Sequence, residues 1–152
     1  MQTPPLSAEA RSDLLQQPIF SVLATRNADD TLRMTPLTFE AQDDGTIKFN
    51  TFENSAAVKN LRRDPRCSVL VDATDPSEGD VMDPGYGVHY WGTATVEGPN
   101  NDIQGMGEMF ARYMGGNEEN ARGYADVLVS YGDRLYLKFT PDRDVAWDYR
   151  MG

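Results

Sequence analysis

The stretch "VKNLRRDPRCSVLV", Val58 to Val71, changes from helical to extended periodicity at "DPR". Val58 and Leu61 recur about one turn apart, so the segment beginning at Ser55 reads as a helix of about two to three turns, closed by Asp64 to Arg66. "CSVLVDA", Cys67 to Ala73, then reads as a strand. The stretch also gathers Lys59, Arg62, Arg63 and Arg66 in a chain whose formal net charge is -10. A helix C-terminus attracts cations through its dipole, which accounts for Arg62 and Arg63 without any ligand. Lys59 is different, because it lies one turn from the helix start and can fold back toward an anion held there.

Working outward, "SAEARSDLLQQ" supplies a capping Ser7, an acid in the first turn and an apolar pair, which predicts a short helix ended by Pro18. "IFSVLAT", Ile19 to Thr25, is a strand, and "NADD" turns it into an extended run from Thr31 to Gln42. "DDG" leads on into "TIKFNTF", where Ile47, Phe49 and Thr51 alternate with Lys48 and Asn50. Three strands in meander are expected, with Pro36 marking an edge, a bulge or a ligand site in the middle one, since proline has no N–H to give a ladder. Beyond Ala73 the acidic "TDPSEGDVMDPGYG" reads as a long loop. In "VHYWGTATVEG", Val88, Tyr90, Ala94 and Val96 form an apolar face opposite His89, Trp91, Thr93, Thr95 and Glu97. "NDIQGMGEMFARYMGG" is a helix stopped by Gly115 and Gly116, the stretch from Asn117 to Ser130 continues helical, and "RLYLKFT" is a strand before an extended tail holding Trp147 and Tyr149. Tight turns between consecutive strands argue for an antiparallel sheet, and many strands with few helices favour closure into a barrel.

With 24 acidic against 14 basic residues, the surface repels nucleic acid and anionic membranes, so neither is expected as a partner. No run approaches 18 apolar residues, and the N-terminal sequence lacks the features of a signal peptide. The single Cys67 cannot form an internal disulfide, so the cytoplasm is the simplest assignment. One histidine and one cysteine, with no HExxH or CxxC spacing, leave no metal site, and no nucleophile elbow accompanies His89. His89 reads as a hydrogen-bonded strand residue and Cys67 as a buried one. No GxGxxG or P-loop is present. What remains is a barrel-like sheet with a helix N-terminus at Asn54–Ser55, flanked by the hydroxyls of Thr51 and Ser55 and by nearby cations. These groups suit a phosphorylated aromatic cofactor whose ring lies along an extended strand.

The segment "FSVLATRNADDTLRMTPLTFEAQDDGTIKFNTFENSAAVKNLRRDPRCSVLV", with "WGTATVEG" and "FARYMGG", resembles the pyridoxamine 5'-phosphate oxidase-like flavoprotein superfamily, closest to its F420-dependent reductase branch. The resemblance runs from about Leu14 to Trp147, and its most specific piece is "KNLRRDPRCSVLV". It implies a mainly β (α+β) fold, a split antiparallel β-barrel of the FMN-binding type with a few short helices, as a single domain over residues 1–152. It also implies a homodimer with F420, or alternatively FMN, in a groove between subunits. On that pattern Met34, Thr35, Pro36, Leu37 and Thr38 line the ring, and Phe49, Asn50 and Thr51 follow the ribityl chain. Ser55, Lys59 and Asn60 lie at the phosphate. Relatives carry a stretch like "STxRGxRKxRNL" where this chain has "NTFENSAAVKNL". Glu53 and Ala57 therefore replace an Arg and a Lys, a local loss of about three charges, with each charge-assisted contact worth roughly 1.5 to 3 kcal/mol.

Two functions are consistent with this reading. One is an oxidoreductase that uses F420 or FMN to move hydride to or from a small unsaturated or quinone-like substrate, with no dedicated acid–base residue. The other is a non-catalytic protein of the same fold that binds a flavin or another small ligand through a degenerate phosphate site.

Overall fold

Thr38 divides what the sequence presents as one extended run. On one side of it, Leu32–Leu37 (β2) pairs antiparallel with Ser21–Arg26 (β1). On the other, Phe39–Ala41 (β3) pairs antiparallel with Ile47–Phe52 (β4). The computed structural model, which describes residues 3–73 and 85–150, adds three strands: Arg66–Asp72 (β5), Tyr86–Glu97 (β6) and Arg134–Asp148 (β7). All seven form one antiparallel sheet in the order β2-β1-β5-β6-β7-β4-β3. Since β2 and β3 stand at opposite ends of that order and only Thr38 joins them, the sheet must curl until its ends meet. The result is a split barrel whose seam lies at Thr38.

This corrects the expected three-strand meander. β1 and β2 do form the hairpin through Asn27–Asp30, but β4 pairs with β3 and β7 rather than with β2. Pro36 lies opposite Val22 in an edge strand, where a missing N–H is tolerated. The C-terminal strand is also longer than expected, because β7 runs on past Thr140 alongside β6 until Asp148 faces Tyr86. Trp147 thus belongs to the sheet, and Tyr149 just beyond it donates its N–H to Gly85 O at 2.9 Å. A bulge at Trp91/Gly92 lets the two long strands follow the curl, and a Cβ at Gly92 would stand 2.1 Å from Thr140 O. The expected acidic loop falls on residues 74–84, outside the described residues, although its last two positions, Tyr86 and Gly87, open β6.

The helices close and brace the barrel. Ala8–Gln16 (α1) begins at Ser7, whose hydroxyl accepts from Ala10 N at 3.1 Å, and it buries Leu14. Ala56–Arg63 (α2) begins at Ser55, whose Oγ accepts from Val58 N at 3.2 Å. It turns Ala57, Val58 and Leu61 into the barrel core beside Phe39, Phe49, Val69 and Phe139. Ile103–Ala111 (α3) runs into a 3₁₀ turn and stops at Gly115, whose φ of 63° is the left-handed conformation that glycine adopts without strain. Glu118–Tyr131 (α4), capped by Asn117, confirms the helix expected there. It packs with α3 in a second core of Met106, Met109, Phe110, Ala121 and Ala125 against Tyr136 of β7. Among the described residues no helix is long and apolar enough to cross a membrane.

Asn60 shows how α2 is tied to the sheet. Its Nδ2 donates to Thr25 Oγ1 at 3.1 Å and to Asn27 Oδ1 at 2.9 Å, while its Oδ1 accepts from Arg63 Nη2 at 2.9 Å. Arg63 also donates to Arg26 O. Replacing Asn60 by alanine strands the buried Thr25 hydroxyl and removes this tie. The Asn60→Ala variant should lose about 1–3 kcal/mol in urea unfolding, and a loss below about 0.5 kcal/mol would show that the cluster is incidental.

Candidate functional site

The seam of the barrel opens into a cleft of about 670 Å³. One wall is the crossing segment Thr35, Pro36, Leu37 and Thr38, and the floor is the end of β4, Asn50 to Phe52, with the helix cap Ser55. The opposite wall is apolar and aromatic, formed by Phe20 beside β1, by Phe110, Tyr113 and Met114 at the end of α3, and by Tyr124 and Leu128 of α4. Phe20 and Tyr113 pack with ring centroids 5.9 Å apart. Tyr113 also fastens the seam, since its hydroxyl donates to Ile19 O at 2.8 Å and accepts from Phe39 N at 3.1 Å. Arg112 adds bonds from its guanidinium to Leu15 O and Phe39 O.

Seven of the eleven residues expected at a cofactor line this cleft: Thr35, Pro36, Leu37, Thr38, Asn50, Thr51 and Ser55. The other four do not. Met34 stands 67 % exposed on β2, and the Phe49 side chain is wholly inside the core. Asn60 is committed to the contacts described above, and Lys59 is exposed on the outer side of α2. Asn50 shares its strand parity with the half-buried Lys48, yet it is buried.

Its burial follows from Arg134, a residue the sequence reading passed over. Arg134 opens β7 opposite Phe52 and is only 7 % exposed, yet it lines the cleft. Its Nε donates to Asn50 Oδ1 at 2.8 Å and its Nη2 to Asn50 O at 3.3 Å. The guanidinium carbon lies 4.3 Å from the centroid of the Phe52 ring. Burial lowers its pKa from the usual 12.5, and the guanidinium still stays protonated. In "RLYLKF", Leu135, Leu137 and Phe139 occupy the core parity, so Arg134 falls on the other face, toward the cleft. That parity was readable in the sequence, but the packing of α4 over this face was not.

The charge deficit noted at Glu53 and Ala57 takes a different form in three dimensions. Glu53 pairs with Arg62 at 3.8 Å and does not line the cleft. Ala57 is buried in the barrel core, at a position that faces no open site. The arginines of the opening stretch are likewise engaged: Arg63 with Asn60 and Arg26 O, and Arg66 with Asp64 at 2.8 Å.

Residues 7–142 match the family model described as pyridoxamine 5'-phosphate oxidase. Among solved structures, the chain is similar to a conserved hypothetical protein, Rv2991, of Mycobacterium tuberculosis. The identity is 26 %, the TM-score is 0.76, and the match covers 99 % of this chain and 89 % of the other. A structure described as an F420 reductase is 19 % identical with a TM-score of 0.63, covering 93 % and 98 %. A FAD binding protein from Mycobacterium smegmatis is 19 % identical with a TM-score of 0.57, covering 95 % and 98 %. No curated protein matches the sequence.

Chemistry outside the cleft is limited. Among the described residues no three His, Cys, Asp or Glu side chains are grouped to hold a metal ion. The His89 ring packs on Trp91 at 3.9 Å between centroids, and desolvation, helped by the Arg143 charge, lowers its pKa below 6.5. His89 is therefore mostly neutral at pH 7 and stands away from the cleft. Cys67 is buried at the start of β5, and desolvation raises its thiol from 9.0 to about 12. The folded protein should therefore resist iodoacetamide at pH 8 and react stoichiometrically once unfolded in urea, as mass spectrometry would read. Rapid labelling of the native protein would contradict this placement of Cys67.

Proposed function

This chain belongs to the pyridoxamine 5'-phosphate oxidase family, and from that membership we propose that it is an oxidoreductase using F420 or FMN. The observation that carries the reading is the cleft, in which seven residues expected at such a cofactor meet a polar end and an apolar wall. The donor set fits the group: hydroxyls of Thr35, Thr38, Thr51 and Ser55, a cation at Arg134, and an apolar, aromatic lining from Phe20, Phe110, Tyr113 and Leu128.

When bound, a flavin or deazaflavin supplies two-electron hydride transfer. The residues of this chain hold and orient the cofactor. Thr35 to Thr38 present backbone groups of an edge strand to a planar ring, while Asn50, Thr51 and Ser55 present polar groups along its side chain. Phe20, Phe110, Tyr113 and Leu128 exclude water from the face where a small unsaturated or quinone-like substrate stacks. No residue of the cleft is asked to carry a proton.

The reading includes a second copy of the chain. Leu32 and Met34 are 60 % and 67 % exposed on the edge strand β2, beside the cleft, and an apolar edge of this kind is ordinarily covered. Light scattering at micromolar concentration should give about twice 16.9 kDa, and a stable monomer would overturn the dimer. Titration with FMN and F420 should shift the fluorescence of at least one of them at micromolar concentration. No change with either would overturn the cofactor assignment and leave the carrier of a different ligand.

A further inference from the structure

We propose that Arg134 is the anion anchor of the cleft, taking the place of the motif cations absent at Glu53 and Ala57, and that it makes the site select phosphorylated over unphosphorylated ring ligands. This rests on the cofactor reading above and assigns the residue that sets its selectivity.

The argument starts from a buried charge. Arg134 is 7 % exposed and forms no ion pair among the described residues. The two carboxylates nearest to it along the chain and across the strand pair are turned to other partners. Asp133 Oδ1 accepts from Asn101 Nδ2 at 3.0 Å, and Glu53 pairs with Arg62. Asn50 satisfies two of the guanidinium N–H directions and Phe52 covers one face, but both are neutral. A buried cation is ordinarily matched by an anion, because desolvation disfavours its charged form. Here the described residues supply none, and the side chain lines an open cleft.

Position fixes which end of a ligand it meets. Arg134 lies opposite Phe52 at the C-terminal end of β4. Ser55 N donates to Phe52 O at 3.1 Å, which sets the start of α2 against the same strand end. The positive end of α2 and the guanidinium thus meet at the same end of β4, and both Ser55 and Arg134 line the cleft. Arg134 is also held in place: its N–H donates to Asn101 Oδ1 and its carbonyl accepts from Asn101 N, each at 2.9 Å. A guanidinium fixed in this way suits a phosphate group, which it can engage through two parallel N–H donors.

The test compares FMN with riboflavin, and F420 with a deazaflavin lacking phosphate, by fluorescence titration of the wild-type protein and of Arg134→Met and Arg134→Lys. The wild type should prefer the phosphorylated ligand by about 10- to 100-fold. Arg134→Met should erase that preference with little effect on the unphosphorylated ligand, and Arg134→Lys should restore part of it. Equal binding of both ligands by the wild type, or a preference that survives in Arg134→Met, would overturn the assignment. If Arg134→Met fails to fold, Arg134→Lys decides: a preference reduced from that of the wild type keeps the assignment, and an unchanged one overturns it. If the wild type binds no flavin or deazaflavin, the cofactor reading falls, and inorganic phosphate becomes the probe. A rise in wild-type melting temperature with phosphate that is lost in Arg134→Met and partly kept in Arg134→Lys keeps the anchor, and no rise, or a rise that survives in Arg134→Met, overturns it.

Discussion

The whole arrangement depends on one topological constraint: residues 32–41 belong to both ends of the sheet. β2 completes the β1 side and β3 completes the β4 side, so the single residue between them forces the seven strands to close. Closure buries Phe39, Phe49, Val69 and Phe139 in one interior, far more apolar surface than a three-strand meander could enclose. The crossing is fastened from outside by Tyr113 and Arg112, which satisfy the backbone of Ile19 and Phe39 where the ladders end. The helical segment after β6 is therefore part of what holds the barrel shut, as well as the wall of the cleft.

The same seam creates the candidate site. Where a strand leaves one edge for another, backbone groups are left without a ladder partner, and the end of β4 with its helix cap lies alongside. Into this gap the fold brings a guanidinium that is desolvated and hydrogen-bonded yet lacks a carboxylate. Asn50 is buried because it serves Arg134, which explains a polar side chain at an apolar depth. Its neutral amide holds the guanidinium in place without quenching its charge, so the cation remains available to a ligand.

Local signals in the sequence were readable wherever they decided the structure locally. The cap at Ser7, the helix start at Ser55, the break at Gly115 and the hairpin at Asn27–Asp30 all formed as the residue types require. The fate of the 31–42 run was not readable, since an extended segment looks the same whether it keeps one partner or changes partners midway. The same limit applied to β7, whose outer half is polar and is held by pairing with β6 rather than by its own pattern. At the candidate site, seven of the residues that the resemblance implied line the cleft, whereas Met34 and Phe49 fall on the other faces of their strands and the places of Lys59 and Asn60 depend on which face of α2 meets the sheet. Arg134 was missed because its role arises from two strands that are adjacent in space and far apart in sequence.

The central claim, that the seam of the barrel is the binding site, is tested most directly by mapping amide chemical shifts during titration with FMN. Perturbations should concentrate at Thr35 to Thr38, at Asn50 to Ser55 and at Arg134. Perturbations confined instead to the surface around Trp91 and Arg143, with the seam silent, would contradict the account.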